Sequence, residues 1–378
     1  MTTIGYDAKR LVRNATGLGN YSRTLVGDLA HILPSSYKML LYAPDKGRDN
    51  LRSQIEESAR LAYVYPQKAH SSVARAVWRS WGIVKDLQRD NVELFHGLSG
   101  ELPIGIHAAG IKSVVTIHDL IFLRHPEYYN PIDAAIYRAK FLLTCREADR
   151  IIAISECTKR DIMEYGGIPA DRIDVVYQSC GKRFSRTLTP DAIEKARKKL
   201  RLPDRFILNV GTIEERKNIG LAVEALPWLD PTIHLVAVGR RTKYTSRVER
   251  TARKLGVADR LHILSGIGDD DLQAVYQSAE TFVYPSRYEG FGIPIIEAIQ
   301  SSLPVVACTG SCLEEAGGPS CLYVSPDDPR QLSLALRQTL KEAGGRTERI
   351  AESRKYIRRF ENNDTAKKVA ETYRCLLK

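Results

Sequence analysis

One rhythm constrains the fold of this chain more than any other feature. Short runs rich in aliphatic and β-branched residues alternate with helical patterns, and the alternation runs through the chain twice. Strands are expected at residues 3–8, 38–43, 61–65, 92–96, 113–118 and 150–154. A second series is expected at 206–210, 234–238, 261–264, 281–284 and 304–308. Helical patterns fill most of the gaps, for example 18–32 and 132–148. Such alternation is the signature of a parallel sheet wrapped by helices. Between 180 and 205 it weakens into Ser179-Cys-Gly-Lys-Arg, Thr189-Pro, a charged helix and Leu202-Pro-Asp. The expected fold class is therefore α/β, with two doubly wound, Rossmann-like domains in tandem. A length of 378 residues agrees, being too long for one ordinary core. The expected divisions are an N-terminal domain at 1–185, a C-terminal domain at 186–360 and a closing segment at 361–378. In that last segment Ala366, Val369, Ala370, Tyr373 and Leu377 fall on one apolar stripe, which must bury against something.

Composition removes several classes. Apolar residues make up 43% and charged residues 27%, as in ordinary globular proteins. No run approaches the ~18 apolar residues of a membrane span. The start meets charge at Asp7 and lacks the long apolar region of a secretory signal, which points to the cytoplasm. The seven cysteines are scattered, odd in number and without a Cys-x-x-Cys pair, which argues against a disulfide scaffold or a structural zinc. The net charge of +11 admits an anionic ligand or surface. No finger or Arg/Gly/aromatic motif accompanies it, so no nucleic-acid partner is expected. Most of the charge belongs on solvated helix faces. Trp78 and Trp81, with Arg75, Arg79, Lys85 and Lys68, make a basic aromatic stretch that suits weak contact with an anionic membrane surface. The plainer reading places those tryptophans in the core.

Open α/β sheets bind ligands beyond the carboxyl ends of their strands, and two such domains facing each other make a deep cleft. The strand at 281–284 runs into Pro285-Ser-Arg-Tyr-Glu289-Gly290-Phe291-Gly292-Ile293-Pro294 and then an apolar helix. The glycines allow close backbone approach, the proline suits a first helical turn, and the free N–H groups around Phe291, Gly292 and Ile293 form an anion site. Glu289 lies at the mouth of the cleft. Glu297, about one turn in, leans back toward the same place. Two carboxylates there suit one polyhydroxyl, phosphate-bearing ligand. After the strand at 206–210, Gly211 permits a turn with Thr212 beside it, and Arg216 and Lys217 offer two cations that match a diphosphate. Gly17 and Gly19 open a helix after the first strand, a loop suited to a phosphate but short of a dinucleotide fingerprint. His118 ends the strand at 113–118 and suits a sugar or acceptor hydroxyl, or a structural bond; His96 reads as structural. Gly239 and the Gly266-Ile267-Gly268 loop follow strands and suit the base of a nucleotide. Asp269-Asp-Asp271 opens a helix, where acidic residues complement the dipole, so no metal is expected there.

The Glu289–Glu297 segment resembles the E-x7-E signature of retaining GT-B glycosyltransferases, above all glycosyltransferase family 4. Gly17-Leu-Gly19-Asn-Tyr, Thr116-Ile-His118-Asp119-Leu and Val210-Gly211-Thr-Ile-Glu-Glu-Arg216-Lys217-Asn218 match as well, so the resemblance covers nearly the whole chain. It implies a GT-B fold whose final helix crosses back to the N-terminal domain. It also implies a nucleotide-sugar donor as co-substrate, with no other cofactor and no metal. It places Glu289 at the donor sugar, Glu297 at the ribose, the amides of Phe291 and Gly292 at sugar and phosphate, and His118 near the anomeric carbon. One departure stands out: many relatives carry arginine where this chain has Thr212, and Arg216 is expected to serve instead. The stretch from Ile117 through Tyr129 resembles bacterial mannosyltransferases of surface-polysaccharide assembly. That implies GDP-mannose as donor, with a UDP-hexose as the alternative, and a lipid-linked or lipopolysaccharide glycan as acceptor. A non-catalytic basic nucleotide or nucleic-acid binder, and a GT-B phosphorylase or epimerase, are the rival classes.

Overall fold

The computed structural model describes residues 1–360 and 364–378. The chain forms two compact units, Met1–Ser179 with Asn363–Lys378, and Cys180–Asn362. The sequence boundary at 185/186 and the observed one at Ser179/Cys180 differ because the turn Lys182–Ser185 packs within the second unit. Its Phe184 is buried, edge-on to Tyr276 with ring centres 5.1 Å apart. Of the closing segment, residues 361–363 lie outside the described residues.

The first unit holds a seven-stranded sheet in the order β3-β2-β1-β4-β5-β6-β7. Its strands are β1 Thr2–Asp7, β2 Tyr37–Tyr42, β3 Leu61–Val64, β4 Leu94–Gly97, β5 Lys112–Ile117, β6 Arg150–Ala153 and β7 Ile173–Val175. The second unit holds six strands in the order β10-β9-β8-β11-β12-β13. They are β8 Arg205–Val210, β9 Ile233–Val238, β10 Leu261–Leu264, β11 Thr281–Tyr284, β12 Val305–Cys308 and β13 Leu322–Val324. Every neighbouring pair is parallel. Central strands are buried on both faces and read as continuous apolar runs, such as Phe206, Ile207 and Leu208, each fully buried. β7 and β13 escaped the sequence reading because each has only three residues and lies at a sheet edge.

In both sheets the strand order reverses beside the first strand of the unit. In the second unit the reversal falls between β8 and β11, so the loops after these strands leave in opposite directions and open a crevice.

The helix Asp364–Leu376 packs in the first unit. Ala366, Val369, Ala370 and Tyr373 join the core made by Ile4, Tyr6, Val26 and Leu29. The Tyr373 hydroxyl lies 2.6 Å from His96 Nδ1, and His96 Nε2 lies 2.9 Å from the Thr116 hydroxyl. His96 is fully buried, and burial pushes its imidazole down to about 3, so it stays neutral and structural.

In the basic aromatic stretch at residues 68–85 the plainer reading, a place in the core, holds for Trp78 and not for Trp81. Trp78 is buried and donates its indole N–H to Asp86 at 2.7 Å. Arg79 turns inward to pair with Asp7 at 2.5 Å and with Glu101. Trp81 stays exposed, beside exposed Val73 and Val77 on the same helical path. No described helix is long and apolar enough to cross a membrane.

Candidate functional site

The crevice between β8 and β11 gathers three of the residues singled out in the sequence. After β8 the chain turns at Gly211, whose φ of +153° favours glycine. It then makes the short helical turn Glu215–Lys217, ended by Asn218 at φ +53°. After β11 comes the loop that carries Glu289. Arg216 Nη1 lies 3.0 Å from Glu289 Oε2, and Lys217 Nζ lies 2.5 Å from Glu289 Oε1. Arg216 also donates to the Tyr288 carbonyl at 2.6 Å and pairs with Glu214 at 2.7 Å. Lys217 donates to the Tyr284 hydroxyl at 2.7 Å, and that hydroxyl lies 3.3 Å from Glu289 Oε1.

All three charged side chains are at least 85% removed from solvent, with exposures of 15%, 15% and 11%. Burial alone would raise the Glu289 carboxyl, but the Lys217 ammonium and the Arg216 guanidinium outweigh it and hold the group at about 2. Burial works against both cations, and Glu289 in turn holds them above their ordinary range. The cluster is therefore fully ionised at neutral pH. Glu289 accepts hydrogen bonds there and carries no proton to give.

Gly211 and Gly239, at the ends of adjacent strands β8 and β9, almost touch. A Cβ on Gly239 would lie 1.8 Å from the Gly211 carbonyl oxygen and 3.3 Å from the Thr212 nitrogen. Ser265 donates to the Gly239 carbonyl at 2.6 Å and so ties the loop bearing Ile267 to the same edge. Thr212 and Ile267 are both half-buried.

Gly292, at φ +143°, caps the helix Ile293–Gln300, with Pro294 in its first turn. Gly290 and Phe291 are buried in the loop before it, and Ile293 is half-buried. Glu297 has a different partner from Glu289: the Tyr276 hydroxyl donates to its Oε2 at 2.9 Å. Burial raises the Glu297 carboxyl to about 7, against the Tyr276 bond and the Arg183 charge, which lower it. The three aspartates from Asp269 to Asp271 open the helix Asp269–Ser278, where Asp269 pairs with Arg183 at 2.5 Å and Asp271 with Lys199 at 2.7 Å.

In the first unit Gly17 and Gly19 open the helix Gly17–Ile32. Only Gly19 is sterically required, since a Cβ there would lie 1.7 Å from the Asn14 carbonyl oxygen. Leu18 and His118 line one cavity of about 220 Å³ together with Arg10, Tyr137 and Lys140. His118 donates from Nε2 to the Leu98 carbonyl at 2.9 Å, and its Nδ1 lies 3.0 Å from the Gln178 amide. Burial lowers the ring to about 4. With Nε2 bonded to a carbonyl, the neutral ring's Nδ1 is the acceptor, so both nitrogens are engaged.

Comparison with known proteins fits this geometry. A family model described as Glycosyltransferase Family 4 matches residues 17–179, and one described as Glycosyl transferases group 1 matches residues 192–358. The chain belongs to the family 4, group 1 glycosyltransferases. The serotype-specific mannosyltransferase WbdA of Escherichia coli is 30% identical over 262 residues, which cover 66% of this chain and 32% of that protein. This glycosyltransferase chain thus matches about a third of WbdA's length. The O-antigen chain mannosyltransferase B of Escherichia coli is 28% identical over 292 residues, 75% of this chain and 74% of that one. Among solved structures, Anabaena HepE in complex with UDP superposes with a TM-score of 0.76 at 17% identity, covering 99% of this chain and 100% of that one. At that identity the likeness concerns the fold, which is GT-B.

Three supports of the loop that carries Glu289 and of the helix after it were not visible in the sequence. Tyr284 orients Lys217 and Glu289, and Tyr276 holds Glu297. Cys312, fully buried beyond β12, shares its S–H between the carbonyls of Glu289 and Phe291. A tyrosine ending a strand and a cysteine in a loop carry no pattern that reveals such partners. Cys312→Val removes the S–H donor from two buried carbonyls and is expected to cost about 1–3 kcal/mol, seen as a lower urea midpoint. Cys312→Ser keeps a donor and is expected to lose much less; equal losses in both would show that volume, not the bond, matters.

Proposed function

We propose that this chain is a retaining glycosyltransferase that moves mannose from GDP-mannose to a hydroxyl of a lipid-linked or lipopolysaccharide glycan. The observation that carries the reading is Glu289 held between Arg216 and Lys217 at the reversal of the second sheet. Two buried cations at that place suit a departing nucleoside diphosphate, and the N–H groups of the helix Ile293–Gln300 add to them. When the donor enters, the diphosphate takes over the cations and Glu289 turns to the sugar hydroxyls. The bond from the anomeric carbon to the phosphate oxygen breaks, and a bond to the acceptor oxygen forms on the same face. The acceptor proton passes to the leaving phosphate oxygen on that same face, while His118, with both ring nitrogens engaged, does not take it. Mannose is favoured by the mannosyltransferase relatives. A UDP-hexose donor is the second reading, favoured by the UDP bound in HepE.

The cations supply the charge neutralisation, so the reading includes no metal, and turnover is expected to persist in excess chelator. It assigns the first unit's cavity around His118 to the acceptor. It also includes a cytoplasmic location with weak contact to an anionic membrane surface through Val73, Val77 and Trp81, which are 70%, 49% and 53% exposed. A panel of nucleotide sugars, scored for hydrolysis, transfer and thermal stabilisation, tests the whole reading. Turnover of GDP-mannose above UDP-hexoses supports it. Turnover of none, with salt-dependent binding to arbitrary DNA, would replace it with a basic binding protein.

Glu297 gives this reading a pH signature. A carboxylate that accepts ribose hydroxyls must be ionised, and its carboxyl sits at about 7 in the ligand-free protein. Nucleotide binding is expected to tighten as pH rises from 6 to 8 and to release a proton, which calorimetry in buffers of different ionisation enthalpy detects. The folded value exceeds the ordinary 4.5, so this group's contribution to stability is fully present below 4.5 and is lost as pH rises through about 7. PH-independent binding would remove Glu297 from the ribose.

A further inference from the structure

A cavity of about 230 Å³ opens in the second unit, lined by Glu215 and Asn218 from the turn after β8 and by Tyr244, Glu224, Arg287 and Asp327 from other segments. Arg216, Lys217 and Glu289 do not line it. Its charge inventory selects the ligand. Arg247 at the rim pairs with Glu215 at 2.9 Å, and Arg287 pairs with Asp327 at 2.6 Å. Both guanidiniums therefore already face a carboxylate. Glu224 adds a carboxylate with no cation paired to it among the described residues. A cavity with matched cations and one spare anion repels phosphates and nucleotides. Its walls are too polar for an acyl chain, with only Leu221, Val248 and Pro326 as apolar patches.

What remains is a small neutral molecule with several hydroxyls. Glu224 and Asn218 supply acceptors: one N–H of the Asn218 amide is spent on the Pro326 carbonyl at 2.9 Å, and its Oδ1 is an acceptor. The Tyr244 hydroxyl stands over Gly220, where a Cβ would come within 3.0 Å of it, so glycine keeps the floor open. The Tyr244 ring is half-buried and offers a flat face, with the Arg247 guanidinium 5.9 Å from its centre. Carboxylate, amide, guanidinium and phenol groups around one aromatic ring match the alternating donors, acceptors and C–H faces of a sugar. The volume is below the ~300 Å³ of drug-sized pockets and suits one ring.

We infer that this cavity is a second carbohydrate site, which takes one hexose ring of a glycan chain and is separate from the donor loop at Glu289. The inference rests on the reading of this chain as a glycan-handling transferase. It gives the second unit a hold on a saccharide other than the donor sugar.

The test uses the full chain with GDP or UDP at saturating concentration and three probes at millimolar concentration: α-linked mannobiose, maltose and α-linked galactobiose. Ligand-observed saturation-transfer NMR is expected to report binding of at least one disaccharide that the nucleotide does not displace. Glu224→Gln combined with Tyr244→Phe, an exposed and a half-buried change that leave the core intact, is expected to weaken that binding at least fivefold. Glu289→Gln is expected to leave it unchanged. Binding of none of the three probes, displacement by nucleotide, or equal binding in the Glu224→Gln/Tyr244→Phe protein would each overturn the site. Nucleotide-sugar turnover is measured on the same wild-type sample. Turnover without a cavity signal sinks this inference alone, whereas absence of turnover counts against the transferase reading itself.

Discussion

Replacing Glu289 by glutamine is expected to lower hexosyl transfer by about 10²–10³-fold while a nucleoside diphosphate still binds. Glutamine keeps the shape of the side chain and removes its charge. The loss reaches beyond the reaction, because Glu289 is the counter-ion of two buried cations in the ligand-free protein. Removing one member of such a buried group costs about 3–5 kcal/mol, since the partners are left uncompensated. The variant should melt at a lower temperature than the wild type. A nucleoside diphosphate should then stabilise it more than it stabilises the wild type, because the cations no longer need to release a carboxylate first. Single-turnover transfer and melting with and without GDP or UDP check both parts. Wild-type turnover would take Glu289 out of the site. Equal nucleotide shifts in the two proteins would mean that Arg216 and Lys217 are not the diphosphate's partners.

Lys217→Met is expected to act from the opposite side of the same cluster. Turnover at neutral pH should fall about 10²-fold, because one of the two charges facing the leaving group is gone. The more telling effect is on pH. Burial drives the Glu289 carboxyl upward, and Lys217 is the first of the two charges that hold it at about 2. That value is below the ordinary 4.5, so the wild-type cluster contributes stability fully above 4.5 and loses it only as pH falls through about 2. Without Lys217 the carboxyl rises and burial is less opposed. The acid limb of both melting temperature and turnover should then move to higher pH. Unchanged acid limbs in Lys217→Met would show that the ammonium does not set the state of Glu289. Lys217→Arg should hold the carboxyl down while disturbing the bond to Tyr284.

The two sheets were legible because most of their strands are apolar and punctuated. β1, β8 and β11 announce themselves as buried runs followed by turn residues. β7 and β13 do not, since three residues cannot display a period and an edge strand needs only one good face. The site was legible to the extent that chemistry sits in one short segment. Glu289 with its glycines, and Arg216 with Lys217, each stood out beside a strand end. That they neutralise one another was hidden, because the pairs join loops more than seventy positions apart in sequence, as the Arg216–Tyr288 bond illustrates. The inward turn of Arg79 was hidden for a related reason, since its partners Asp7 and Glu101 lie beyond any local window. The cavity beside Tyr244 draws on turns after β8, β9, β11 and β13, so no single segment could have signalled it.

The return of the helix Asp364–Leu376 to the first unit has a consequence for the making of the protein. Cys180–Asn362 is one uninterrupted stretch, while the first unit is assembled from both extremes of the sequence. A ribosome therefore finishes the second unit before the first. Until the helix Asp364–Leu376 emerges, Tyr6, Val26 and Leu29 lack the cover of Ala366, Val369 and Tyr373, and His96 lacks the Tyr373 hydroxyl. Domains generally fold as units during synthesis, and the earlier one usually goes first. Here the order is inverted: residues 1–179 wait for the helix Asp364–Leu376, so a nascent chain that stalls between the second unit and that helix has a finished second unit and an open first one.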